Sequence, residues 1–272
     1  MQNAEPLTDR SALARNRARA KPDALFLQRA AVDDVQDRLA MVNRRFTTPA
    51  IVTPYPQIWC DTVPHAAIIA DTDTLTLEPG HHDLIIHALC LHWSNDPVGQ
   101  LIQCRRALKP DGLMIAILFG GQTLMELRSA LSEAEIAVTG GLSPRIVPMG
   151  EIRDLGGLLQ RAGFALPVAD STQIKATYPS ARHLMQDLRA MGEGNALAAR
   201  LRAPTQRAVF DKTGQLYARH FGDKSQRIPA TFEMVCLTGW APDESQPKPL
   251  RPGSAKQRLA DALAVTETKL SD

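Results

Sequence analysis

Two short runs of almost unbroken apolar residues, Asp83 to Ala88 (DLIIHA) and Leu113 to Phe119 (LMIAILF), constrain this chain more than any other feature. A strand wetted on one face alternates polar and apolar residues, so continuous runs predict strands covered on both faces, as in a parallel sheet. Between them, Asn95 to Leu108 reads as a helix, with Asn95 or Asp96 as N-cap, Pro97 in the first turn and a stop at Lys109-Pro110-Asp111-Gly112. Strand, helix, turn and strand in that order make a right-handed βαβ unit. The fold class expected is α/β.

The flanking sequence extends this unit. From Asp23 to Val42, Leu25, Val32, Val35, Leu39 and Val42 recur at helical steps. Further helices are predicted at Thr123 to Ile136, with Leu124, Leu127 and Leu131 inward, and at Glu151 to Ala162, ended by Gly163. Ser171 to Tyr178 and Thr231 to Trp240 read as strands, and Ala181 to Tyr217 between them as mostly helical. The expected organisation is a helical extension over 1–45, a main domain over 46–241 with a helical insertion near 181–217, and a proline-rich tail over 242–272 that ends in a short helix.

Composition narrows the function classes. With 44% hydrophobic and 22% charged residues the chain reads as an ordinary globular protein. A net charge of +2 is too small for a chain whose main partner is nucleic acid. No apolar run approaches the roughly 20 residues that span a bilayer. The basic start, with Arg10, Arg15, Arg17, Arg19 and Lys21, lacks the apolar segment of a secretory signal. The location expected is the bacterial cytoplasm, or the mitochondrial matrix if the source is eukaryotic. Cys60, Cys90, Cys104 and Cys236 show no metal-ligand spacing and are expected to be reduced core thiols.

At DLIIHALCLHWSND and CRRALKPDGLMIAILFGG the chain resembles the fourth and fifth strands of class I S-adenosylmethionine (SAM) dependent methyltransferases. FGGQTLMELR, GGLSPRIVP, DLGGLLQRAGF, DLRAMGEGN and PATFEMVCLTGW then resemble, in order, the mitochondrial complex I assembly factor five family and its bacterial relatives. That family is itself similar to the biotin-pathway malonyl-carrier-protein methyltransferases. The resemblance implies a three-layer Rossmann-like methyltransferase fold with an antiparallel last strand, SAM as cofactor, and a protein client that is a complex I subunit.

The resemblance breaks upstream. Where the family has a Gly-x-Gly-x-Gly turn that lets SAM approach the backbone, this chain has Thr48 to Pro56 (TPAIVTPYP), and no glycine occurs before Gly80. Ile68 to Gly80 reads like the family's third strand and acidic turn, which leaves the 24 residues Thr47 to Ala70 for everything earlier. Two strands and two helices of average length need about 32 residues before loops. One βα unit is therefore expected to be lost, with the carboxylate that holds the ribose.

The resemblance assigns cofactor contacts to Asp71, whose carboxylate would accept from the adenine amine, and to Thr72, Leu89 and His92 at neighbouring strand ends. A bland alternative stands beside each: Asp71 as a turn-former that contributes little to stability, and His92 as a structurally bonded histidine. Trp93 reads better as core than as ligand platform, and Gly120 and Gly121 fit either a ligand or a tight turn. Arg145 and Arg153, near Ser143 and Pro148, are the candidates for a client-facing loop. Three functions follow: a pseudoenzyme holding its protein client, a methyltransferase with a degenerate first motif, or a modifying enzyme that uses another ligand.

Overall fold

The apolar run at Asp83 becomes the centre of a six-stranded sheet. In this computed structural model residues 5–247 are described, and every statement below concerns them. The strands are β1 (Pro49–Val52), β2 (Ala67–Ile69), β3 (His82–Ala88), β4 (Leu108–Phe119), β5 (Ala165–Tyr178) and β6 (Ile228–Trp240), in spatial order β2-β1-β3-β4-β6-β5. The first four run parallel. β6 lies antiparallel between β4 and β5, pairing Leu113 with Trp240 and Val168 with Thr238.

The helices are α1 (Arg10–Arg17), α2 (Phe26–Met41), α3 (Pro56–Trp59), α4 (Pro97–Ala107), α5 (Met125–Thr139), α6 (Ile152–Arg161), α7 (Ala181–Ala190) and α8 (Arg207–Phe221). Successive strand residues point to opposite sides. Accordingly Ile51, Leu84, Ile86, Leu113 and Ile115 pack with α2, α5, α7 and α8, whereas Val52, Ile85, Met114 and Ala116 pack with α4 and α6. The result is a helix–sheet–helix sandwich, the three-layer α/β architecture that the two apolar runs require. All seven residues of β3 are buried.

Several boundaries differ from the sequence reading. β4 begins at Leu108, because the Lys109–Gly112 turn is gathered into the strand, with Leu108 opposite His82. β5 starts at Ala165 because it follows β6 along its length. The segment expected to be mostly helical contains α7 and α8 with irregular chain between them. On α2 the buried side is Leu27, Gln28, Ala31 and Val35, with Val32 and Leu39 half-buried. The helix is rotated because Gln28 turns inward to accept a hydrogen bond from Trp59 Nε1 at 2.8 Å. Cys60, expected in the core, is exposed at the end of α3, while the other three cysteines are buried.

Residues 47–70 hold β1, the one-turn α3 and β2, so the sheet has one βα unit fewer than the resemblance implies. β1 is nevertheless fixed in register with β3. Asp83 accepts from the amides of Thr47 and Thr48 and from the Thr47 hydroxyl, at 2.6 to 3.0 Å. Burial opposes its charge, but these donors hold its pKa below the ordinary carboxylate range.

The chain divides into two compact units, Met1–Pro242 and Asp243–Asp272. In the second, Asp243 accepts from the amide and hydroxyl of Ser245. The short helix expected near the end of the tail lies outside the described residues. Among those residues no helix is long and apolar enough to cross a membrane.

Candidate functional site

Open α/β sheets bind ligands in the crevice outside the carboxyl ends of their parallel strands. Here that edge is formed by Thr53 to Tyr55 after β1, Asp71 after β2, Leu89 to Trp93 after β3, and Gly120 after β4. α1 lies against it. Ala12 and Leu13 pack with Trp93, Val147 and Leu197. Arg10 and Arg17 are seven positions apart and so share one helical face, and both reach Asp71.

The Asp71 side chain is 1% exposed and lies between two guanidinium groups. Arg17 Nη1 donates to Oδ2 at 2.5 Å, and Arg10 Nη2 lies 3.3 Å from Oδ1 and also donates to the Asp71 carbonyl. Desolvation opposes the charge, but the two arginines outweigh it and hold the Asp71 pKa below its ordinary value. The turn behind Asp71 is pinned from α4: Gln100 Nε2 donates to Thr72 O, and Gln103 bonds the Leu75 amide and the Asp73 carbonyl. Thr72 is exposed, with its hydroxyl on Thr74 O.

At the end of β1, Tyr55 fills the turn. It is 2% exposed and its hydroxyl donates to Met191 O at 2.8 Å. A bound adenosyl group would need approachable backbone at this turn and a free acceptor at Asp71. Tyr55 closes the first, and Arg17 donates to the second where an exocyclic amine would. In this arrangement the residues present do not fit SAM.

The residues after β3 serve internal contacts. Leu89 is a buried core residue in left-handed backbone, φ 49°. His87 Nε2 bonds Gln100 at 2.9 Å, and burial lowers its pKa, which keeps it neutral. His92 is almost fully buried, 3.5 Å from Glu193 and packed on Phe119. Trp93 is buried, and its Nε1 donates to Glu193 at 2.7 Å. Burial pushes the Glu193 pKa up, but His92, Arg17 and Trp93 more than reverse this and keep it ionised. Gly120 and Gly121 form a close turn, since a Cβ on the first would sit 2.6 Å from Glu233 and on the second 2.4 Å from Glu151.

Beyond Phe119 the edge opens into a cavity of about 1180 Å³. Its apolar walls include Leu27, Phe119, Leu124, Leu127, Met149 and Phe232, and Glu193 and Asn195 supply polar groups. α7 and α8 form the far side. Arg145 also lines it, but its guanidinium is occupied: Nη2 and Nε bond both oxygens of Glu135 at 2.5 and 3.1 Å, and Nη1 donates to Thr205. That pairing holds the Glu135 pKa down at about 2. Arg153 is exposed on α6, which packs on the opposite face of the sheet, and is not part of the cavity wall.

Sequence reasoning therefore placed Asp71 at the crevice but missed Arg10, Arg17, Tyr55, Gln100 and Glu193. The seven-residue spacing of Arg10 and Arg17 was the available signal. Among the described residues no cluster of His, Cys, Asp and Glu could hold a metal ion.

A methyltransferase-domain family model matches residues 14–116. The chain is 35% identical over 225 residues to the mitochondrial arginine-hydroxylase NDUFAF5 of Danio rerio, covering 83% of this chain and 70% of that protein. It is 38% identical over 193 residues to the Homo sapiens NDUFAF5, covering 71% and 56%. It is 35% identical over 177 residues to a malonyl-[acyl-carrier protein] O-methyltransferase of Laribacter hongkongensis, covering 65% and 57%. Among solved structures, the YcgJ protein of Bacillus subtilis superposes with a TM-score of 0.49 at 9% identity, over 79% of this chain and 99% of that one. The chain spans between 41% and 70% of the length of the first five NDUFAF5 relatives.

Two substitutions test this geometry. The turn reading alone expects Asp71→Ala to be nearly silent, but the substitution leaves Arg17 buried without its carboxylate and Arg10 with only the exposed Asp73, so we expect a loss of about 3 kcal/mol in urea unfolding at neutral pH. Because the folded Asp71 pKa is depressed, that stabilisation is present above the ordinary carboxylate pKa and fades as pH falls below it. A loss under about 0.5 kcal/mol would show that the buried cluster does not bear on stability. Arg145→Ala should cost about 2–3 kcal/mol. The difference from wild type should shrink as pH falls from the ordinary glutamate value of 4.5 toward about 2. A difference that stays constant across that range would remove Glu135 from the explanation.

Proposed function

The chain belongs to the NDUFAF5 family of class I methyltransferase-fold proteins, and from that premise we propose that it holds a protein client in the cavity beside β4 and makes weak use of SAM at most. The observation that carries this reading is the contrast between two neighbouring sites. The crevice over β1 and β2 is filled by the chain's own Tyr55, Arg10 and Arg17, whereas the adjoining cavity of about 1180 Å³ is open. A methyl transfer draws most of its rate from alignment of the sulfonium with the acceptor, so loss of the cofactor's anchors removes that advantage first. A client site built from apolar walls is indifferent to it.

The client in this reading is a protein subunit of respiratory complex I, in keeping with the assembly-factor resemblance, and the place of action is the bacterial cytoplasm. SAM is retained only as a weak ligand. Its binding requires Arg17 to leave Asp71, and the lost glycine turn and ribose carboxylate are not replaced by any group on this edge. The runner-up, a working methyltransferase with a degenerate turn, needs α1 to swing away and Asp71 to accept a new donor.

Calorimetric titration with SAM and S-adenosylhomocysteine separates the two. Each missing charge-assisted hydrogen bond costs about 1.5–3 kcal/mol, so two should weaken binding by at least about 100-fold relative to an intact site. We expect no saturable heat at about 100 μM ligand; low-micromolar binding would establish the runner-up. The client half is tested separately through Gly214, which lines the cavity and whose Cβ would meet nothing within 4 Å. In the organism's own background, Gly214→Trp should lower assembled complex I severalfold while the protein remains folded and abundant. Normal complex I levels with that variant would overturn client binding in the cavity.

A further inference from the structure

The charges around the cavity do not cancel. Arg145 is bonded to Glu135, Glu193 to Trp93 and His92, and Arg207 lies 3.8 Å from Asp211. Two cations remain. Arg182 and Arg189 both line the cavity from α7, both are exposed, and neither makes an ion pair among the described residues. The acid of α7, Asp187, is engaged by the hydroxyl of Tyr178 at 2.8 Å.

Their spacing carries information. Seven residues of helix advance about 10 Å, which places the two guanidinium groups on one face two turns apart. Met185 and Gln186 line the cavity between them. A peptide in the polyproline II conformation advances about 3.1 Å per residue with three residues per turn, so its residues i and i+3 lie on the same side about 9 Å apart. The volume, about 1180 Å³, is above the roughly 300–1,000 Å³ usual for small-ligand sites and suits side chains delivered by a peptide.

We propose that α7 reads an acidic segment of the client: a polyproline-II stretch with carboxylates three residues apart on one side, one on Arg182 and one on Arg189, that directs the apolar residues between them toward the cavity. Arginine fits this task because its planar fork pairs bidentately with a carboxylate. The contacts sit at a solvated rim, so each pair contributes modestly and is weakened by salt. Their main effect is on orientation and partner choice, with the apolar cavity supplying the remaining affinity. This inference rests on the client-binding reading and adds the client's chemistry to it.

The test uses the full chain and a fluorescein-labelled peptide in which two glutamates flank two leucines, with a glutamine-for-glutamate counterpart as control. Fluorescence anisotropy should show the acidic peptide binding about tenfold tighter than its counterpart at low salt, a preference lost at high salt. Arg182→Gln with Arg189→Gln should abolish the preference, and Arg182→Glu with Arg189→Glu should invert it. Both side chains are exposed, so circular dichroism should be unchanged. Equal binding of the two peptides, or a preference that survives the double substitution, overturns the proposal. So does binding to phosphatidylglycerol vesicles in place of the peptide, which would assign the two cations to a lipid surface. If Gly214→Trp lowers complex I while the double charge reversal does not, client binding stands and the acidic reading falls. If neither variant changes complex I, the client reading falls first.

Discussion

A buried carboxylate between two arginines organises the functional edge of this molecule. Asp71 sits almost without solvent, and its charge is tolerable only because Arg10 and Arg17 are held beside it. That requirement fixes the position of α1, which in turn covers Trp93 and meets the Met191–Leu197 stretch through Asn16 and the Asp9 amide. The ion cluster also leaves Arg17 Nε and Nη2 and Arg10 Nη1 buried without a hydrogen-bond partner among the described residues. Unsatisfied buried donors each carry a desolvation cost. The docked helix is thus held by strong charge pairing and weakened by the same arginines' remaining donors.

One consequence is a division of labour along a single sheet edge. Over β1 and β2 the chain has supplied its own occupants: a tyrosine where bare backbone would be needed and a guanidinium where a ligand amine would donate. Beside β4 the same edge remains open: the chain between β5 and β6 forms α7 and α8, which share the core with Phe119 and Phe232 through Leu184, Leu188 and Val209 and line the cavity with Met185, Arg189 and Phe210. The cavity and the filled crevice meet at Glu193, which touches Trp93 and His92, lies in the field of Arg17 and faces the cavity. Any movement of α1 therefore changes the electrostatics of the cavity wall.

The layered α/β fold was legible because its signals are local. The unbroken apolar runs at 83–88 and 113–119 can only be strands covered on both sides, and Asp96, Pro97 and Gly163 mark helix ends wherever the rest of the chain lies. The shortage of residues between Thr47 and Ala70 likewise dictated a missing unit by length alone. Boundaries moved where a partner strand extended the pairing, as in β5 along β6, or where one buried hydrogen bond rotated a helix, as Gln28 does for α2.

The site was less legible for the same reason in reverse. A basic amino-terminal segment and a turn aspartate are separated by 54 and 61 residues, and nothing in either stretch records that they neutralise each other. Arg145 looked free because its partner Glu135 lies ten positions earlier, on a helix whose outward face cannot be told from its inward one by spacing alone. Sequence by itself determined the layer architecture, the truncated start and the place of Asp71 at a strand end, since each follows from local period, length or turn chemistry. Tertiary structure decided which charges pair and therefore which part of the edge is filled and which stays open, because ion pairs between distant segments depend on where the packed layers bring them.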